Sequence, residues 1–292
     1  FVFTTTPNGT GSERNPYLIY TASQLDNMRK NMNSFYKLKK DINIATSSYK
    51  SENNPDDYGW LPIGKTTARF MGGLDGDGHT ISGLSINRPT MDSVGLFGQI
   101  GDAKIKNIYL TDGIVIGEDS CGSLIGYAYN SEITNCCNES VKVKGVSHVG
   151  GISGEIYSVA ANKLRNNADV IGASEKTGGI VGWNNIYSTI SSSFNNGSVT
   201  GSTEHVGGIA GYNNASINNC ANNATISGYQ YVGGIVGSNN ASGKVNRCIA
   251  VGNMITVNLA SVNVGGIAGY NYDTGARIMN SIITNNTYIN GY

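Results

Sequence analysis

From residue 94 onward, an aliphatic residue returns about every 28 positions inside the same glycine frame. Seven segments carry it: Gly95-Leu96-Phe97-Gly98, Ser123-Leu124-Ile125-Gly126, Gly151-Ile152-Ser153-Gly154, Gly179-Ile180-Val181-Gly182, Gly208-Ile209-Ala210-Gly211, Gly234-Ile235-Val236-Gly237 and Gly266-Ile267-Ala268-Gly269. Successive closing glycines are 28, 28, 28, 29, 26 and 32 residues apart. A period this regular marks a solenoid, in which one repeat makes one turn of a stacked coil. Each repeat holds three short strand-like pieces. The first is the glycine core, the second resembles Ile133-Thr134-Asn135-Cys136, and the third ends beside a glycine, as in Val199-Thr200-Gly201. Gly, Asn and Ser turns separate them and leave no room for the helices of βαβ units. The pattern predicts an all-β, right-handed parallel β-helix of about seven three-stranded coils, stacked roughly 4.8 Å apart.

That geometry gives residues their places. Leu96, Leu124, Ile152, Ile180, Ile209, Ile235 and Ile267 should stack as an interior ladder. The next position runs Phe97, Ile125, Ser153, Val181, Ala210, Val236, Ala268 and reads as a less constrained face. The flanking glycines are expected to take positive φ or to admit close backbone approach at coil corners. Asn135 and Asn219 should be left-handed turn residues that direct Cys136 and Cys220 inward as small fillers.

Residues 1–93 break the period. Thr21-Ala22-Ser23-Gln24 has a capping-box pattern, and Leu25, Met28 and Met32 follow at helical spacing. A short helix at 22–31, a strand at 36–44 and an exposed loop at 47–58 follow from this. An open solenoid end exposes apolar cross-section and needs a cap, and the amphipathic helix supplies one. The organisation expected is therefore a cap with irregular first coils at 1–93 and repeats at 94–292. The far end, at 290–292, shows no polar cap and predicts an unshielded end or a partner.

Composition narrows the function. Lys+Arg and Asp+Glu are both 20, for zero formal net charge, which argues against a nucleic-acid binder. Only 14% of residues are charged, yet 39% are hydrophobic, enough to bury a core and escape disorder. No apolar run approaches the roughly 18 residues of a membrane span. The five cysteines lack CxxC spacing and read as buried core residues. The chain starts at Phe1 with no signal peptide, so a targeting segment is expected upstream of it.

The repeats resemble the GLUG motif, named for its Gly-Leu-x-Gly core and present literally as Gly95-Leu96-Phe97-Gly98. The upstream residues Asn15-Pro16-Tyr17-Leu18-Ile19, Gln24-Leu25, Pro62-Ile63-Gly64 and Leu74 through Leu84 also match what precedes such repeats. The resemblance implies an extracellular or outer-surface bacterial protein of the kind often called adhesins. It also implies kinship with repeat regions that accompany immunoglobulin A-specific metallopeptidases.

Catalytic chemistry is sparse. The three histidines, His79, His148 and His205, form no HExxH motif. His148 and His205 share one repeat position, for which a repeated loop residue is the simpler reading. Asp75 and Asp77, in an Asp-Gly-Asp-Gly run, are the candidate calcium ligands, although Asp-Gly pairs are also ordinary turn formers. Other carboxylates look scattered, not concentrated in adjacent repeat equivalents. The Asn-x-Ser/Thr sequons at Asn8, Asn138, Asn196, Asn214, Asn223 and Asn240 read as turn chemistry. Tyr127, Tyr129, Trp183, Tyr187, Tyr212 and Tyr270 follow the glycine core by one to five residues. Stacked along one edge, they are the candidate ligand-binding strip.

The reading is a non-catalytic, exported surface module that presents a repetitive face to a glycan or protein, with no resident cofactor. A β-helical polysaccharide lyase is the alternative, favoured by two carboxylates and a Lys or Arg on neighbouring coils. A structural spacer is the third.

Overall fold

The computed structural model describes residues 9–45, 58–240, 242–251, 254–257, 263–272, 274–284 and 287–290. Residues 46–57, most of the expected loop, lie outside these, as do Asn8 and the last two residues. Among the described residues the strands form four sheets of 10, 7, 15 and 6 strands, and every pairing of named strands is parallel. One circuit runs Ser147–Gly150, Ser153–Tyr157, Ala160–Asn162, Arg165–Asn166 and Val170–Gly172, then returns at Thr177–Gly178. Each segment pairs with its equivalent one repeat away, as Ser153 does with Val181 and Val181 with Ala210. The chain is a β-solenoid of about seven stacked coils. The expected three pieces are present, and a short strand just before the glycine core adds the six-stranded sheet.

The interior ladder from Leu96 to Ile267 is at most 7% exposed. Each such aliphatic contributes about 1.5–3 kcal/mol over an exposed one. The following position, expected to be less constrained, is also interior: Phe97, Ile125, Ser153, Val181, Ala210 and Val236 are fully buried. Its variation reflects side chains of different size filling one corner of the core, with Phe97 packed on Phe70 at 5.0 Å.

Asn135 and Asn219 have φ of 54° and 53°, as expected of left-handed turn residues. Lys163, Ser192, Arg247 and Asn280 occupy the same bend in other coils, also with positive φ. Cys136, Cys220 and Cys248 then point inward, and all five cysteines are free and buried. The repeat glycines behave differently from one half of the expectation. None has a positive φ; instead, a Cβ on Gly126, Gly154, Gly182, Gly211, Gly237 or Gly269 would lie 2.2–2.5 Å from backbone of the coil before. Close approach, not a left-handed turn, selects glycine there.

Asparagine, which the sequence assigns to turns, also builds the core. Asn138, Asn166, Asn195 and Asn222 are fully buried and linked amide to carbonyl at 2.8–2.9 Å. A second ladder joins Asn184, Asn213, Asn239 and Asn271 at 2.6–2.8 Å. Asn138 is thus a buried ladder residue.

At the N-terminal end the α-helix covers Ala22–Asp26 and tightens into a 3₁₀ turn at Asn27–Lys30. Thr21 Oγ1 accepts from the Gln24 N–H, and Gln24 Oε1 accepts from the Tyr20 N–H. Leu25 and Met28 are fully buried against the first coil. The strand expected at 36–44 is two, Phe35–Leu38 and Ile42–Asn43, because the chain turns a corner between sheets. Tyr17–Ile19, Phe35–Leu38 and Gly73–Asp75 lead the ten-stranded sheet directly into Lys104–Lys106, so the irregular coils share one core with the repeats.

Candidate functional site

The corner between the six- and seven-stranded sheets brings aromatic, imidazole and charged side chains of successive coils together. On the seven-stranded sheet one register column runs Gln99, Tyr127, Glu155, Trp183, Tyr212, Ser238, Tyr270. Alternation along the short strands turns this third position outward while its neighbours are buried, except at Ser238, which is buried and bonded to His205. Beside it, Ser93, Ser120, His148, Lys176, His205 and Tyr231 form a second column, each with φ between 49° and 62°. The left-handed bend presents these side chains to the first column while the next residue, such as Val149 or Val206, enters the core.

The two columns interlock. His148 stacks on Trp183 at 5.2 Å, and Lys176 Nζ lies 4.7 Å from the Trp183 ring centre. His205 meets Tyr212 edge-on at 5.0 Å and stacks on Tyr231 at 5.1 Å. Tyr231 continues to Tyr270, and Arg69 lies over Tyr127 and Tyr129 at 5.6 and 5.4 Å. Gln99 also lines a hollow of about 540 Å³ beside the cap, with Lys30, Lys65, Met91 and Asp92.

A polar chain runs along the same edge. Asp119 Oδ1 is 2.5 Å from His148 Nδ1, Lys176 Nζ is 3.2 Å from His148 Nε2, and Lys176 reaches Glu175 at 2.9 Å. Burial pushes the Asp119 carboxyl up, but the His148 and Ser120 contacts together outweigh it and hold the group below its usual range. The Lys176 hydrogen bond lowers Glu175. Burial raises Glu155 despite its bond from Asn185, and burial pushes the His205 imidazole down to about 4. Asp119, Glu155 and Glu175, read from the sequence as scattered, share this edge, whereas Asp112 and Glu132 stand on other sheets. Register places Glu175 and Glu204 in equivalent positions of adjacent coils, and Asp119 pairs with Ser147 in the same column.

Of the sequence candidates, Tyr127, Trp183, Tyr212 and Tyr270 share the column. Tyr129 stands one step outward, stacked on Tyr157 at 5.6 Å. Tyr187 is 80% exposed at the next corner and touches only the edge of that pair, 6.2 Å from Tyr157. The sequence reading sets Asp119 and Glu155 aside as scattered acids and does not single out Lys176 or Tyr231, although aligning the repeats puts Ser120, His148, Lys176, His205 and Tyr231 in one position. Asp75 and Asp77 are engaged elsewhere: Asp77 pairs with Lys37 at 2.9 Å and Lys39 at 3.4 Å, and Asp75 with Lys106 at 3.3 Å. Calcium there would compete with three ammonium groups. His79 sits apart, 3.2 Å from Asp41.

No protein-family model matches the chain. It is 35% identical over 136 residues to a protein assigned as a Gly-rich membrane protein in Evansella cellulosilytica, covering 46% of this chain and 15% of that protein. It is 37% identical over 160 residues to halomucin from Haloquadratum walsbyi, covering 52% of this chain and 2% of halomucin. The chain thus spans a small fraction of either relative. A crystal structure assigned as an immunoglobulin A1 protease from Bacteroides ovatus superposes with a TM-score of 0.72, over 94% of this chain and 86% of that one, at 22% identity. That likeness is one of fold, the β-solenoid. No helix among the described residues is long and apolar enough to cross a membrane.

Proposed function

We propose that the chain is a non-catalytic binding module of an exported bacterial surface protein, and that its aromatic column holds a glycan. The column of Tyr127, Trp183, Tyr212 and Tyr270 carries the reading. Aromatic faces accept the apolar C–H faces of sugars, while phenol, carboxylate and imidazole tips at the rim bind hydroxyls. Rings set one or two coils apart along the column, at about 4.8 Å per coil, favour an extended polymer over a compact ligand. The two relatives, one assigned as a membrane protein and the other halomucin, support a surface setting.

A polysaccharide-cleaving enzyme is the second reading, because Asp119, Glu155 and Lys176 lie on neighbouring coils. Their bonding weakens it. Both ring nitrogens of His148 are engaged, and Lys176 is shared among His148, Glu175 and the Trp183 face. His148 and Lys176 are thereby held by each other and by their neighbours, and neither is free to act as the base or the cation of a cleavage reaction.

A glycan array probed with the purified chain and a Trp183→Ala/Tyr212→Ala variant tests both readings. Saturable binding to one glycan class, lost in the variant, supports the proposal. Binding that survives the double substitution, or none to any glycan, overturns the aromatic column as a glycan site. Release of product from any spot overturns the non-catalytic reading.

A further inference from the structure

Glu175, Glu204 and His205 converge from two adjacent coils at the edge of the aromatic column. One donor atom from each lies within 4.8 Å of the others. We propose that these three side chains form a site for a divalent metal ion of the zinc type, bridging one coil to the next.

The geometry at His205 carries the argument. Its Nδ1 is 2.7 Å from Ser238 Oγ, a bond that leaves Nε2 as the free nitrogen. Nε2 lies 3.7 Å from Glu204 Oε1. That is too long for a hydrogen bond, and close to the roughly 3.3 Å between two ligand atoms of a tetrahedral zinc site with bonds of about 2.0–2.1 Å. The ring is held between Tyr212 and Tyr231, at 5.0 and 5.1 Å, so its direction is set before any ion arrives. A metal-ligating histidine needs an acceptor on its far ring nitrogen, most often a carboxylate, carbonyl or water, and the Ser238 hydroxyl takes that place here.

Charge points the same way. Asp119, Glu155, Glu175 and Glu204 crowd this edge, with Lys176 as the nearby lysine. Register puts the two glutamates in equivalent positions of adjacent coils, where like charges repel. Lys176 takes Glu175 Oε2 at 2.9 Å and leaves Glu204 to His205. A divalent ion would relieve that repulsion. One imidazole with two carboxylates suits zinc better than calcium or magnesium, which prefer oxygen alone. The remaining coordination positions would open toward the aromatic column.

Titration calorimetry of the whole chain with zinc chloride tests this independently of any glycan. One-site binding is expected, weakened about tenfold or more by Glu204→Gln and by Ser238→Ala. Lys176→Met, which removes the competing cation, should tighten it. The Glu204 side chain is 42% exposed, so its variant should fold, which circular dichroism checks. The proposal is overturned by absent zinc binding, or by zinc affinity unchanged in both Glu204→Gln and Glu175→Gln, which would place the ion elsewhere, as on the cysteines. Calcium chloride binding as tightly as zinc would overturn the zinc-type assignment.

Discussion

A Cβ placed on Gly182 would lie 2.5 Å from the carbonyl carbon of His148, the left-handed residue one coil earlier. Gly211 stands in the same relation to Lys176, and Gly237 to His205. The closing glycine of each repeat therefore fixes how tightly a coil nests under the bend that carries the candidate site. The recurrent glycine and the site residues are two sides of one contact.

Gly182→Ala should consequently cost about 2–3 kcal/mol, since backbone on both sides has to move. Gly78 is a useful contrast, with φ of 83° and nothing within 4 Å of the place an added methyl group would take. Gly78→Ala should cost only about 1–2 kcal/mol, from the left-handed backbone alone. Urea unfolding midpoints at unchanged slope decide it. Equal losses would show that close coil packing is not what selects the repeat glycines.

The buried ladder makes a second contrast. Asn195 accepts from Asn166 at 2.9 Å and donates to Asn222 Oδ1 and Gly197 O at 2.8 and 2.9 Å. Asn195→Ala removes a link and leaves a cavity, at a cost of about 2–4 kcal/mol. Its exposed neighbour Asn196 bonds Asn167 at 2.9 Å across the same two coils. Asn196→Ala should fall within about 0.5 kcal/mol of the parent. Comparable thermal shifts for the two variants would refute the distinction between the ladders.

Much of this architecture is legible in the chain because the solenoid repeats itself. The spacing of closing glycines equals the register of pairing strands, so Gly154 to Gly182 and Ser153 to Val181 report one coil. The inward aliphatics, the inward cysteines and the left-handed Asn135 and Asn219 follow from the same periodicity. Asn166 and Asn195 were illegible as core because a stacked amide satisfies itself only when a twin lies one coil above, which composition does not disclose. The site was half legible. Trp183 and Tyr212 share a repeat position, but Asp119, His148 and Lys176 meet across coils about 28 residues apart, and no local motif links them.

Asn219 has φ of 53° and an exposed side chain, so its role is conformational. Asn219→Gly should leave stability within about 0.5 kcal/mol of the parent, whereas Asn219→Val should lose about 1–2 kcal/mol from forcing a β-branched residue into the left-handed region. Thermal melts of the pair check this. A valine variant as stable as the glycine one would mean that the bend relaxes without cost.

Asp75 joins the charge question to acid stability. Burial pushes its carboxyl up, but the Asn107 amide, the Asp77 N–H and Lys106 outweigh that and hold it below its ordinary value of 3.8. In the acid range the unfolded chain therefore binds the proton more readily than the folded one. The stability Asp75 contributes is present above about pH 4 and lost as pH falls through its folded value. Asp75→Asn should flatten that acid limb by about 1 kcal/mol or less, because the group is partly exposed. Parallel pH profiles for parent and variant would show that the lysine and amide contacts have no energetic weight. Calcium chloride should leave the parent's thermal midpoint unchanged, since Lys37, Lys39 and Lys106 already neutralise Asp75 and Asp77. A calcium-dependent rise abolished by Asp75→Asn would mean that the ion displaces those lysines.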